Sequence, residues 1–204
     1  MKRIFSWVIL TVIVAIVFVG FGVTKTIETK RDFNVAFEAA KKQIKKEQYT
    51  KAEATLEDAL RKKQNDELGQ AVLKQIQLYR MGLENISQKN YAQARQQMQQ
   101  VAQIDPGSAL LVRRASEKQT ELKEAIKELA VFDKAYTKAL SLSKKSQYTA
   151  SNTKLAVILN YGSIDKPYYT EIYQKAKKLT AKNNKILKRL GYTVDDDKPK
   201  KTDK

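Results

Sequence analysis

Two of the side chains most used in protein chemistry are missing: among 204 residues there is no histidine and no cysteine. Without imidazole there is no Ser-His-Asp triad, no His-ligated zinc and no side chain that ordinarily titrates near neutrality. Without thiols there is no disulfide, thiolate metal site or cysteine nucleophile. Carboxylate pairs, Ser-Lys dyads and carboxylate-held metals are what is left, and no spacing in the chain favours any of them. The acidic run Asp195-Asp196-Asp197 lacks the glycine-bearing loop and distal glutamate of a calcium site, and reads as part of a charged tail. No residue is therefore singled out as catalytic, cofactor-binding or metal-ligating, and a non-enzymatic protein without a cofactor is expected.

What the chain has in excess is positive charge. Its 39 Lys and Arg against 22 Asp and Glu leave a formal charge of +17, a field that attracts anionic surfaces and polymers. Only eight of those cations are arginine, and lysine is a hydrated point charge rather than a bidentate reader of phosphates and base edges. The only tryptophan, Trp7, lies in an apolar run, and the tyrosines fall at helix-packing positions instead of forming a stacking platform. Both features speak against nucleic acid and favour anionic lipid headgroups or wall polymers. The candidate contact face is Lys175, Lys177, Lys178, Lys182, Lys185, Lys188 and Arg189, with no acidic residue between Glu171 and Asp195. Lys41, Lys42, Lys45 and Lys46 form a second cluster. For both, the competing reading is the solvated face of a packed helix.

The apolar run is Ile4 to Val23, without a charge. Helical rise of about 1.5 Å per residue gives it roughly 30 Å, the hydrocarbon thickness of a bilayer. The expected organisation is a cytoplasmic n-region over 1–3, a transmembrane signal-anchor over 4–24, a juxtamembrane linker over 25–32, a helical-repeat-like domain over 33–190 and a disordered charged tail over 191–204. That organisation makes a single-pass membrane protein with its carboxyl domain extracytoplasmic. The competing reading is a cleaved secretory signal, for which Met1-Lys2-Arg3 is a basic start and Gly20-Phe21-Gly22 a region of small residues.

Beyond the run, apolar residues recur at three and four residues and turn punctuation is sparse. Phe33, Ala36, Phe37, Ala40 and Ile44 form one stripe, then come a turn at Lys46-Glu47-Gln48 and a second stripe of Ala52, Leu56, Ala59 and Leu60. Leu68 to Ile86, a turn at Gln88-Lys89-Asn90, and Ala94 to Val101 make a second hairpin that Asp105-Pro106-Gly107 ends. Ser108 to Lys145 reads as one long helix or two collinear ones. A third turn at Ser146-Gln147 leads into Leu155 and Leu159, and a last helix runs from about Pro167 to Leu190 with Asp165 as its expected N-cap.

Written out, the three turns are alike: EQYTKAEATLEDAL, KNYAQARQQMQQVAQIDP and SQYTASNTKLAVIL. Each has a tyrosine (Tyr49, Tyr91, Tyr148), a small residue three later (Ala52, Ala94, Ser151) and a bulky one four beyond that (Leu56, Met98, Leu155). The middle copy adds Gly82 before its tyrosine and Pro106 after it. This resembles the second half of a tetratricopeptide repeat, where a turn aromatic precedes a small residue that lets two helices approach. Tyrosine spacings are longer than that family's, its early tryptophan is absent, and Ser151 stands where alanine is typical. The resemblance implies stacked antiparallel hairpins in a superhelix with a groove for a partner segment; the alternative is a generic helical bundle. The functional expectation is a membrane-anchored extracytoplasmic adaptor for another cell-envelope protein, and the alternative an electrostatic binder of anionic wall polymer or lipid headgroups.

Overall fold

The computed structural model describes residues 28–194, and every regular element among them is helical. Residues 28–45 form α1, and α2 (Tyr49–Lys62), α3 (Glu67–Ser87), α4 (Tyr91–Gln103), α5 (Ala109–Lys144) and α6 (Tyr148–Leu159) come after it. A 3₁₀ turn over Pro167–Tyr169 then leads into α7 (Thr170–Arg189). The stretch from 108 to 145 is thus one uninterrupted helix of 36 residues. Asp165 does not cap the last helix: Lys166 occupies the N-cap position of the 3₁₀ turn, and no side chain caps α7.

The all-α class stands, but its transmembrane helix is corrected. Among the described residues no helix is long and apolar enough to cross a membrane. α5 has the length but carries charges throughout, from Arg113 and Arg114 to Lys144, whereas apolar α6 has only 12 residues, about 18 Å of the roughly 30 Å required. The segment that carries the expectation of a span, Ile4 to Val23, lies outside the described residues, as do residues 1–3, 25–27 and the Asp195-Asp196-Asp197 tail. The single-pass membrane localisation, the signal-anchor and the cell-envelope setting are corrected with it.

The chain divides into two compact units, one of residues up to Ser87 with Gln93–Gln119, the other of Gln88–Ala92 with the residues from Thr120 onward. In the first unit, Phe33, Ala59 and Leu60 are buried together, with Ala36, Phe37 and Leu73 packed against them. Ala52, Leu56, Ile76, Ala94, Met98, Val101, Leu111 and Ala115 are inaccessible to solvent. α3 and α4 approach closely at Gly82, where an added Cβ would lie 2.5 Å from Cε of Met98 and would displace the end of that flexible side chain.

Two polar side chains close the backbone of this unit. The Arg114 guanidinium donates from Nη1 to the Ile44 carbonyl (2.7 Å) and the Tyr49 hydroxyl (2.9 Å), and from Nη2 to the Lys45 carbonyl (3.2 Å). It therefore places a cation on the orphan carbonyls at the C-terminus of α1, where the helix dipole favours one. Gln75, fully buried, donates to the Val101 and Ile104 carbonyls and accepts from the Ser108 N–H (2.6 Å). It thereby ties α3 to the end of α4 and the start of α5, and a Cβ on Gly107 would collide with it.

In the second unit Leu122, Ala125, Phe132, Ala139, Leu155, Ile158, Tyr169 and Ala176 form the buried apolar set. A hydrogen-bonded chain runs through it. Ser143 Oγ donates to Asn183 Oδ1 (2.7 Å), while Asn183 Nδ2 donates to Ser151 Oγ (2.9 Å) and Asn152 Oδ1 (2.8 Å). Ser151 Oγ in turn donates to the Ala139 carbonyl (2.8 Å), and Asn152 Nδ2 to Asn184 Oδ1 (2.6 Å). Ser151 is the small residue of the third turn, and its hydroxyl has a definite use there: it links α5, α6 and α7.

The three hairpin turns share one backbone device. Glu47, Lys89 and Ser146 have φ of 61°, 65° and 61°, each two residues before the tyrosine that opens the next helix. At the first, the Glu47 N–H bonds the Ile44 carbonyl and the Gln48 N–H the Gln43 carbonyl; at the third, Ser146 bonds Ser143 and Gln147 bonds Leu142. At the first and third turns this is the Schellman closure built on a left-handed residue that is not glycine.

Two substitutions probe these closures. Ser146→Gly removes the steric cost of a Cβ at positive φ and stabilises by about 1 kcal/mol, raising the melting temperature by roughly 2–4 °C. Arg114→Met leaves two carbonyls and the Tyr49 hydroxyl without their charged donor and destabilises by about 1.5–3 kcal/mol. Urea titration monitored by circular dichroism measures both.

Candidate functional site

α7 buries Ile172, Ala176, Leu179, Thr180, Asn183 and Leu187. All seven cations expected to form a contact face, Lys175, Lys177, Lys178, Lys182, Lys185, Lys188 and Arg189, are exposed. They do not form one face. At about 100° per residue, Lys178, Lys182, Lys185 and Arg189 fall within an arc of roughly 60°, while Lys177 and Lys188 lie about 90–110° away from its centre. Lys175, next to the row, is paired with Glu171 at 2.7 Å. Lys177 is on the other flank, its ammonium 5.5 Å from the Tyr173 ring centroid. Of the second cluster, Lys41 is engaged by Glu38 at 2.7 Å.

The start of α7 also borders a cleft of about 540 Å³, contained within the second unit. Tyr91, Leu129, Pro167 and Tyr168 supply its apolar surface. Tyr91 and Tyr168 meet edge to face, 5.4 Å between centroids. Tyr168 is fixed from behind, because the neighbouring Tyr169 is fully buried and packs edge-on with Phe132 (5.4 Å) and Tyr161 (5.5 Å). Burial pushes the Tyr169 phenol well above its ordinary range, and the adjacent Tyr161 hydroxyl adds to that, so this ring titrates only in strong alkali.

The polar rim consists of Lys89, Asp133, Glu171 and Lys175. Glu171 accepts from both lysines, Lys89 Nζ at 2.5 Å on Oε2 and Lys175 Nζ at 2.7 Å on Oε1. The hydrogen bonds from Lys175 and Lys89 hold its carboxyl down at about 2 against an ordinary 4.5. The left-handed backbone at Lys89 is what turns the chain there, and the Pro167–Tyr169 turn is what presents Tyr168 and Glu171. Apolar walls with a few fixed charges at the rim suit a short peptide segment or a small amphipathic molecule.

The residues expected to pack in the repeat-like turns divide by burial. Tyr49, Ala52, Leu56, Gly82, Ala94, Met98, Ser151 and Leu155 are buried, Tyr91 and Tyr148 are half-buried, and Pro106 is exposed. Glu171, Tyr168 and Lys89 are not singled out by sequence reasoning. The only signals for them are the Pro-Tyr-Tyr run ahead of an amphipathic helix and a lone carboxylate opening a basic one. Comparison with known proteins found no match to a family model, to a curated protein or to a solved structure.

Because the folded pKa of Glu171 lies below the unfolded value, the stabilisation from its contact with the two lysines is fully present above about pH 4.5 and is lost as the pH falls from there through about 2. Lys89→Met is expected to move the Glu171 midpoint upward, towards 4.5. Carboxyl-selective NMR titration of both proteins reads this, and an unchanged Glu171 midpoint contradicts the geometry.

Proposed function

We propose that this chain is a non-enzymatic adaptor built from helical hairpins similar to those of tetratricopeptide repeats, and that it holds a segment of a partner protein in the cleft of its second unit. The observation that carries the reading is the cleft itself. Two tyrosines in edge contact, a proline and a leucine make an apolar bed, and an ordered lysine-glutamate-lysine group with Asp133 forms its rim. Aromatic rings fixed by buried neighbours lose little entropy on binding, which favours a peptide over a surface of flexible side chains. The lack of histidine and cysteine in the chain removes most nucleophile and general-base arrangements, which also favours binding over catalysis.

A photo-crosslinking residue in place of Gln174, which lines the cleft, is expected to capture the same protein reproducibly from cells. Capture should be lost when Leu129→Glu is added, with the helical content unchanged. A crosslinker in place of exposed Lys51, in the first unit, serves as control. No reproducible product from Gln174, or the same products from Lys51, would overturn the reading.

A further inference from the structure

The row Lys178, Lys182, Lys185 and Arg189 lies outside the cleft, and the adaptor reading makes no use of it. We infer that this row is a second binding site, and that its ligand is a flexible linear phosphate polymer laid along α7. The row is written in the sequence: steps of four, three and four residues keep the cations on one line of the helix, spanning about 16 Å. All four are exposed. None of them has an ion-pair, hydrogen-bond or ring partner among the described residues. Neither α7 itself nor the neighbouring α6 supplies compensation. The only carboxylate of α7 is Glu171, already held by Lys89 and Lys175, and α6, which packs against α7, has no acidic residue at all. Four like charges held on one line raise the local potential and are relieved by a counter-charge of matching length.

The composition of the row selects among anionic partners. An acidic partner helix would need a continuous apolar seam beside the charges, and the row has none: within α7 half-buried Ile186 is the one large apolar side chain flanking it, and exposed Leu190 lies beyond its end. Single-stranded RNA would need rings to stack on. No aromatic residue lies between Lys178 and Arg189, and Tyr173 belongs to the other flank under Lys177. An anionic bilayer is a plane, and would be met best by a broad basic face with apolar anchors rather than by a line one residue wide. Three lysines and one arginine on flexible stems ask only for closely spaced charge on a chain that can track the helix. A polymer of phosphates supplies that, and its release of condensed counterions provides the driving force.

The test uses the full-length chain and fluorescently labelled inorganic polyphosphate, titrated at several salt concentrations. Binding is expected at low salt, weakening steeply as salt rises. The variant Lys178→Glu, Lys182→Glu, Lys185→Glu should bind at least about tenfold more weakly. A control with the same change in net charge, Lys42→Glu, Lys51→Glu, Lys74→Glu, should stay within about threefold of the parent. These three are exposed residues of the first unit. If glutamate disturbs the helical content of α7, the corresponding glutamine variants take its place and should show the same order with a smaller loss. Equal losses in the two triple variants would mean that net charge alone is at work and would overturn the site. So would no binding at low salt, or tighter binding of poly-glutamate, single-stranded RNA or phosphatidylglycerol vesicles than of polyphosphate. The crosslink from Gln174 should persist in the row variant, which separates failure of this site from failure of the cleft.

Discussion

Three left-handed residues hold the architecture together. A helix that reverses through a turn of two or three residues must close its last carbonyls at once, and the shortest way to do so puts one residue at positive φ. Here that residue is Glu47, Lys89 or Ser146, and the chain continues in the same manner each time. A tyrosine opens the next helix two residues later, and a small residue then comes to face the preceding helix. Ala52, Ala94 and Ser151 have no solvent exposure, and neither have Leu56, Met98 and Leu155 one turn further on. The turn therefore sets the register in which each hairpin packs. A Cβ at positive φ costs on the order of 1 kcal/mol, less than the roughly 2–5 kcal/mol that a buried leucine or methionine contributes relative to alanine, so the packing wins and glycine is not needed.

Long polar side chains complete what the turns leave open. Arg114, Gln75 and Asn183 each make three or more hydrogen bonds to groups far away in sequence. The net gain from each bond is modest, about 1 kcal/mol, but a buried donor or acceptor left alone costs about 1–3 kcal/mol. These residues consequently act less as glue than as a check on alternatives: a slipped helix would strand their partners.

Local signals carry far in this sequence. Helical periodicity and scarce turn residues lead to the all-α class, and the turns read at Lys46-Glu47-Gln48, Gln88-Lys89-Asn90 and Ser146-Gln147 coincide with the three left-handed residues. The exposure of the α7 lysines is legible for the same reason, since a helical wheel needs no tertiary information. The Asp165 cap fails because Pro167 starts a 3₁₀ turn before the α-helix does. The cleft is hidden because Tyr91 and Tyr168 are 77 residues apart and their meeting depends on how a turn lies beside α5 and α7. Arg114 is hidden likewise, one of eight arginines whose partners lie 65 to 70 residues earlier. A twenty-residue apolar run suggests a membrane span by length and hydropathy alone, whereas the helices of residues 28–194 trade length against apolarity and none combines the two.

Both binding proposals concern the second unit: the cleft depends on the turn that presents Lys89, and cleft and row alike depend on an α7 fixed by the Ser143–Asn183–Ser151 chain. The most direct measurement is therefore of the turns themselves, by backbone NMR of the full-length chain with scalar couplings and chemical shifts reporting φ residue by residue. Positive φ at Glu47, Lys89 and Ser146, with helical values on both sides of each, is the expected result. Negative φ at any of the three, or helix continuing through it, would contradict the hairpin register on which the packing and the placement of the cleft rest.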